Sequence, residues 1–281
     1  ESYPVHYYNG NWAEQDAEDW WNAFCASTRK LLARTGIQPE RIRAVSFSGQ
    51  MMGCLCVDRE GKPLRPSIIW ADQRAQQEAE EIEKAISQWE YYQITGHRNT
   101  ASYGIQKLMW VKKHEPEVYR NTYKMLNAKD FMVQKLTGVF CTDYSDANGC
   151  GFFDLKRLDW SEELLKLSGI DRSKLPDVKP STFCAGKITE EAARQTGLTK
   201  ETAVIIGAGD GVATNVGAGS VSSGKTFCCM GTSAWITTTS EQPLLDPQMR
   251  TVTWAHMVPG LYAPNGTMQY AGGSYSWLKG F

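Results

Sequence analysis

The stretch "IIGAGDGVATNVGAGSVSSGKTFCCMGTSAWI" (residues 205–236) decides how this chain is read. It sets one acid, Asp210, among glycines, then runs from Gly219 to Gly224-Lys225-Thr226, a match to the G-x-x-x-x-G-K-[ST] phosphate loop. A working phosphate loop needs a strand before it and a helix opening at its Lys-Thr, so that helix amides face the phosphates. Here residues 211–217 pattern as a small-residue helix and residues 226–230 as a strand. Both contexts are wrong, and the match reads as a polar linker. A dinucleotide fingerprint fails as well, because Val212 stands at the third glycine position.

Two features survive. "AVIIGAGD" (203–210) reads as a buried strand closing in a glycine turn, and ligands in α/β folds gather at such strand ends. Asp210 there is either a helix N-cap or a base for a substrate hydroxyl in phosphoryl transfer, and pattern alone leaves both open. Gly231-Thr232-Ser233 separates two strand-like runs. It is either an ordinary hairpin turn or a phosphate-facing one that offers amides and hydroxyls.

Outward from this stretch, apolar spacing predicts helices over Trp12–Ala33, Gln73–Ile86 (capped by Asp72), Tyr103–Lys113, Ala128–Leu136, Ser161–Leu167 and Glu190–Thr196. "IRAVSFS" (42–48) alternates as a strand, with "GCLCVD" (53–58) as its hairpin partner or continuation, and "IIW" (68–70) as another. Past Lys225, "KTFCCM", "AWITTT" and "TVTWAHMV" are strand-like, and "GGSYSWLKGF" (272–281) begins a helix. Mixed strands and helices predict an α/β fold with a boundary near Ser222.

Length and composition agree: 281 residues, 42% hydrophobic and 22% charged, suit a soluble chain with more than one domain. A net charge of −1 argues against nucleic acid and anionic membrane as partners. No run approaches the roughly 18 apolar residues of a membrane span. The eight cysteines hold no C-x-x-C pair and read as buried free thiols in a reducing cytoplasm, with Cys54 and Cys56 on one strand face. His6, His97, His114 and His256 are scattered, so no metal site is expected among the side chains. Most of the ten tryptophans are expected in the core or along a groove.

Taken in order, the segments resemble the FGGY family of carbohydrate kinases, xylulokinase-like, within the superfamily of actin and hexokinase. "SFSGQMMG" (46–53) resembles the family's sugar-facing turn, and "GKPLRPSIIWADQR" (61–74) its G-x-P-L-x-x-x-I-x-W-x-D-x-R signature. "KLMW" (107–110), "KDFMVQKLTG" (129–138), "TDYSDANGCGFFDL" (142–155), "GAGDG" (207–211) and "MGTSAW" (230–235) follow in the family's order. The resemblance implies a ribonuclease H-like, actin-like ATPase fold. Residues 1–221 would form the sugar-binding domain and 222–281 the start of a similar, ATP-binding one.

It further implies ATP-dependent phosphorylation of a sugar hydroxyl, with Asp210 as general base. Gln50, Met51, Met52, Trp70, Asp72, Arg74 and Gly211 would bind the sugar, and Gly231, Thr232 and Ser233 the ATP phosphates, with Mg²⁺ as cofactor. Asp72 and Arg74 are equally readable as a structural ion pair, and Trp70 as core. The family's opening D-x-G-T hairpin does not precede "ESYPVHYY", so the chain is expected to be part of a longer protein. Xylulokinases usually carry Met-His where Met51-Met52 stand and Asp-Asn where Asp210-Gly211 stand, so a pentulose such as xylulose is only the nearest substrate. Other polyols or aldonates, of the glycerol, erythritol and gluconate class, are the alternative. A non-catalytic sugar-binding module is the rival outside catalysis, and a homodimer is left open.

Overall fold

Two parallel strands carry the Asp210 turn. In the computed structural model, which describes every residue except Gln269 and Phe281, Ala44–Gly49 pairs parallel with Ala203–Gly209, and Cys184–Lys187 lies antiparallel on the other side. The middle strand is the apolar one, as a strand flanked on both sides should be. Val204 and Ile206 are fully buried in a cluster with Trp20, Trp21, Phe131 and Leu136. That cluster is roofed by the helices Ala17–Thr35 and Ala128–Thr137. Each large aliphatic side chain buried there contributes roughly 1.5–3 kcal/mol.

The first helix starts later than its periodicity suggests. Trp12–Gln15 is a strand, paired with His6–Tyr8 on one side and Ser67–Ile68 on the other. Asp16 then caps the helix by accepting from the Glu18 amide at 2.9 Å, and Gly36 closes it at φ 66°. The aromatic spacing of Trp20 and Phe24 ran backwards into Trp12, which belongs to the strand.

Two further expectations are corrected. Gly53–Asp58 is not a hairpin partner of the preceding strand; Leu55–Val57 pairs antiparallel with Lys124–Leu126. Its alternation does hold, for Cys54 and Cys56 enter one core cluster and Leu55 and Val57 the other. Asp72 does not cap a helix. The helix is Gln76–Ala85, with Ala75 before it, and Asp72 is held by other bonds described below. The helices Gly104–His114, Ala128–Thr137, Glu162–Ser168 and Glu190–Thr196 match expectation within a residue or so.

After the helix Asp210–Gly217 the architecture changes to an antiparallel sheet. Thr226–Met230 and Ala234–Thr238 form a hairpin, and Tyr262–Met268 inserts between Ala234–Thr238 and Val252–Ala255. Thr226 therefore opens a strand, so Lys225 has no helix N-terminus beneath it. Cys228 is exposed and Cys229 partly so, contrary to the buried reading, because Thr226–Met230 is an edge strand; Cys184 is exposed too. The final helix is Gly272–Lys279, and Phe281 lies outside the described residues.

Candidate active site

The register of the parallel pair builds the site. Gly209 is the partner of Gly49, so the strands end together and hand on to Asp210 and Gln50 side by side. Two glycines make that ending possible. Gly207 sits at φ 75° in a register shift, and a Cβ there would run into the Phe47 carbonyl. A Cβ on Gly209 would lie 2.5 Å from Met51 Cγ, so Met51 packs directly on the strand end.

A cleft of about 320 Å³ opens between these strand ends and the antiparallel sheet. Of the residues expected from sequence, Gln50, Met51, Met52, Trp70, Asp210, Gly211 and Ser233 line it. The sheet adds Trp235, Trp254, Asn265 and Thr267 as the facing wall. Gln50 donates to Gln15 Oε1 at 2.7 Å, and the Trp20 indole donates to the same oxygen at 3.2 Å. Trp70 projects its ring into the cleft, 53% exposed, rather than packing in the core.

Asp210 is the first residue of its helix, not its cap; Gly209 holds the cap position. One carboxylate oxygen accepts from the Gly211 amide at 2.8 Å. Asp210 stays exposed at the cleft mouth, but partial loss of water beside the surrounding walls raises its pKa above the usual carboxylate value, and the Gly211 amide opposes the rise. A carboxylate so placed is a better proton acceptor near neutral pH than one free in water. Behind it, the Gly209 amide donates to Ser145 Oγ at 2.9 Å, and Ser145 Oγ donates to Asp143 at 2.6 Å.

Asp72 and Arg74 do not line the cleft. Asp72 accepts from the Ala13 amide at 2.6 Å, and Arg74 Nη2 pairs with Asp72 and Glu14, each at 2.8 Å. The guanidinium lies 3.9 Å from the Trp12 ring centroid, a cation–π contact. This buried pair anchors the turn that carries Trp70. Gly231 and Thr232 also stand apart from the cleft, bordering a second hollow with Gly272 and Gly273. Their turn is fixed from both sides: the Gly231 amide donates to Ser233 O at 2.8 Å, and Thr232 O accepts from the amides of Ala271 and Gly273.

An annex of about 760 Å³ continues from the cleft, sharing Met52, Trp70 and Trp254 and adding Arg98 and Ser102. Sequence reasoning missed the facing wall. Asn265 and Thr267 lie on Tyr262–Met268, a segment to which the sequence pattern assigns no element. Among the described residues, no group of three His, Cys, Asp or Glu side chains is placed to hold a metal ion. Asp210 is the lone acid among the described residues of the cleft, so this set does not by itself build the expected Mg²⁺ site. Among the described residues no helix is long and apolar enough to cross a membrane.

Known sugar kinases resemble this chain over nearly its whole length. Xylulose kinase of Bacillus subtilis is 31% identical over 277 residues, which cover 99% of this chain and 55% of that protein. Gluconokinase of the same organism is 32% identical, covering 94% of this chain and 52% of its own length. The crystal structure of xylulose kinase from Rhodospirillum rubrum superposes with a TM-score of 0.93 at 30% identity, covering 99% of this chain and 57% of that one. The chain thus spans about half the length of the curated relatives it matches. Its fold is the ribonuclease H-like, actin-like ATPase fold of these sugar kinases. The model of the FGGY family of carbohydrate kinases, N-terminal domain, matches residues 1–217, from the first strand through the Asp210 helix, and the chain belongs to that family.

Proposed function

We propose that the complete protein transfers the γ-phosphoryl group of ATP to a hydroxyl of a small sugar, with Asp210 as the general base. One observation carries this reading: Asp210 and Ser233, at the end of the phosphate-facing turn, line the same cleft. The carboxylate takes the hydroxyl proton as the sugar oxygen bonds to the γ-phosphorus. The bond from that phosphorus to the β,γ-bridging oxygen breaks, and ADP leaves with the electron pair. Gln50, Met51, Met52, Trp70 and Gly211 hold the sugar on one side, while the Gly231–Ser233 turn approaches the phosphates. Residues 1–221 would serve as the sugar half and 222–281 as the opening of the nucleotide half, in keeping with the change to an antiparallel sheet at Thr226.

A ketopentose such as xylulose is the first substrate to test, since the relatives above include xylulose kinases. An aldonate is the second, favoured by Arg98, an exposed cation on the annex wall, and by the gluconokinase relative. The complete protein should consume ATP only with one member of a panel of ketopentoses, polyols and aldonates. Sugar binding without any phosphoryl transfer would make it a binding module instead.

Lys225 supplies a control. It precedes an edge strand and does not line the cleft. Lys225→Ala should change kcat by less than about threefold, whereas a lysine on the transferred phosphate would cost far more. A loss of roughly a thousandfold with the fold intact would restore the phosphate-loop reading.

A further inference from the structure

Lys107 is a buried lysine that the proposed chemistry does not use. It stands on the helix Gly104–His114, and its side chain is fully enclosed. Its ammonium donates to three backbone carbonyls: Met52 O at 2.8 Å, Ile69 O at 2.8 Å and Ser102 O at 2.6 Å. An ammonium has three donors, so each proton is used. Burial lowers its pKa to about 7, and the carboxylate that most opposes the fall, Asp72, is committed to Arg74 and the Ala13 amide. A charge enclosed this way is costly unless its bonds are all made, so the three carbonyls are pinned as firmly as the lysine.

Those carbonyls belong to three loops far apart in the chain, and each loop supplies a wall of the cleft or its annex. Met52 and Trp70, the residue after Ile69, line both, and Ser102 lines the annex. Met52 also adopts φ 62°, a left-handed conformation that is strained for a methionine and persists only where neighbours enforce it. The same helix presses on this turn from below: a Cβ on Gly104 would lie 2.7 Å from the Gly53 carbonyl. Helix start and lysine together fix a backbone that would otherwise relax.

We infer that Lys107 is a positioning residue for the sugar, a single ammonium that sets the relative placement of the Met52, Trp70 and Ser102 loops. This rests on the reading of the cleft as the sugar site. Its action is on substrate placement, not on ATP, because none of its three contacts reaches the Gly231–Ser233 turn.

The test compares Lys107→Met, which removes every donor, with Lys107→Gln, which keeps two, both in the complete protein. The Met variant should raise the sugar KM at least roughly tenfold, and the Gln variant less, while the ATP KM stays within about twofold. Hydrogen exchange should quicken in the amides of residues 51–54, 69–73 and 101–104 and stay unchanged in 203–217. A sugar KM within about twofold of wild type, or equal rises in both KM values, would overturn the inference. So would exchange that quickens evenly throughout the chain, the mark of general loosening. Should the Met variant not fold, the Gln variant decides by the same two readouts. If the complete protein phosphorylates no sugar, the kinase reading fails, and exchange confined to the three loops still decides for or against the clamp.

Discussion

Asp210→Asn should lower kcat by roughly 10²–10⁴ while the protein melts near the wild-type temperature. A sugar hydroxyl is a poor nucleophile at neutral pH, and the phosphoryl transition state needs it aligned and relieved of its proton. A carboxylate accepts that proton and an amide of the same shape does not. The fold has little stake in the difference. The Asp210 carboxylate accepts from backbone amides next to it, that of Gly211 and its own, and an Asn oxygen can accept from them equally well. Sugar affinity should therefore stay within about tenfold. The pH dependence gives a second readout. The base works deprotonated, so kcat/KM falls as pH drops through its pKa. Removal of water beside the cleft walls raises that pKa, which moves the acid limb toward neutrality. The Asn variant should lose this limb. Turnover above about a third of wild type in a normally folded Asn variant would remove Asp210 from the chemistry.

Asp210 was legible because strand-end chemistry leaves a local mark: apolar alternation, then glycines, then one acid. The register Gly209 to Gly49 explains why the other strand also ends in a glycine, before Gln50, and why Gly207 and Gly209 are needed where backbone and Met51 crowd together. The hairpin around Gly231 was legible for the same reason, as alternation broken by a turn. Other parts left no local mark. Tyr262–Met268 lies inside the antiparallel sheet although Pro264 and Gly266 disfavour a strand, since pairing on both sides outweighs propensity. With it went Asn265 and Thr267. Trp12–Gln15 fits a helical spacing as well as a strand, and its partner Ser67–Ile68 lies too far along the chain to be seen. The signature from Trp70 to Arg74 left sugar contact and structural ion pair equally open; Trp70 reaches the cleft, and Asp72 and Arg74 form the ion pair that turns inward. Lysines at 107 and 129 look like solvated charges. They are buried because partners distant in sequence assemble around them, and no window of sequence contains those partners.

Lys129→Met should destabilise the protein by about 3–5 kcal/mol, the cost of leaving buried charge without its partner. Lys129 Nζ lies 2.8 Å from Asp130, 3.1 Å from Asp143 and 3.2 Å from Asp146, and all four side chains are shut off from water. Burial alone would lower the lysine pKa, but the three carboxylates outweigh it, so the ammonium is held firmly. Asp146 is the weak member: burial raises its pKa well above the usual value, with Lys129 opposing. Around this cluster meet the start of the helix Ala128–Thr137, the strand Cys141–Asp143 and, through Ser145, the amide of Gly209 beside Asp210. Methionine fills a similar volume and removes the charge together with the hydrogen bond that Nζ donates to Asp130. For a chain of this size the melting temperature should fall on the order of 10 °C. The sign of the pH effect separates charge from packing. Without the ammonium that opposes it, the raised pKa of Asp146 rises further, so that carboxyl binds a proton more readily in the folded state than in the unfolded one. Its contribution is then intact at low pH and lost as pH rises, so the variant's deficit should shrink from pH 8 toward pH 5. Asp146→Asn, which copies the neutral form, should cost far less than Lys129→Met. A Lys129→Met protein that melts within about 2 °C of wild type, or whose deficit is the same at both pH values, would show that the cluster is not held together by its charge.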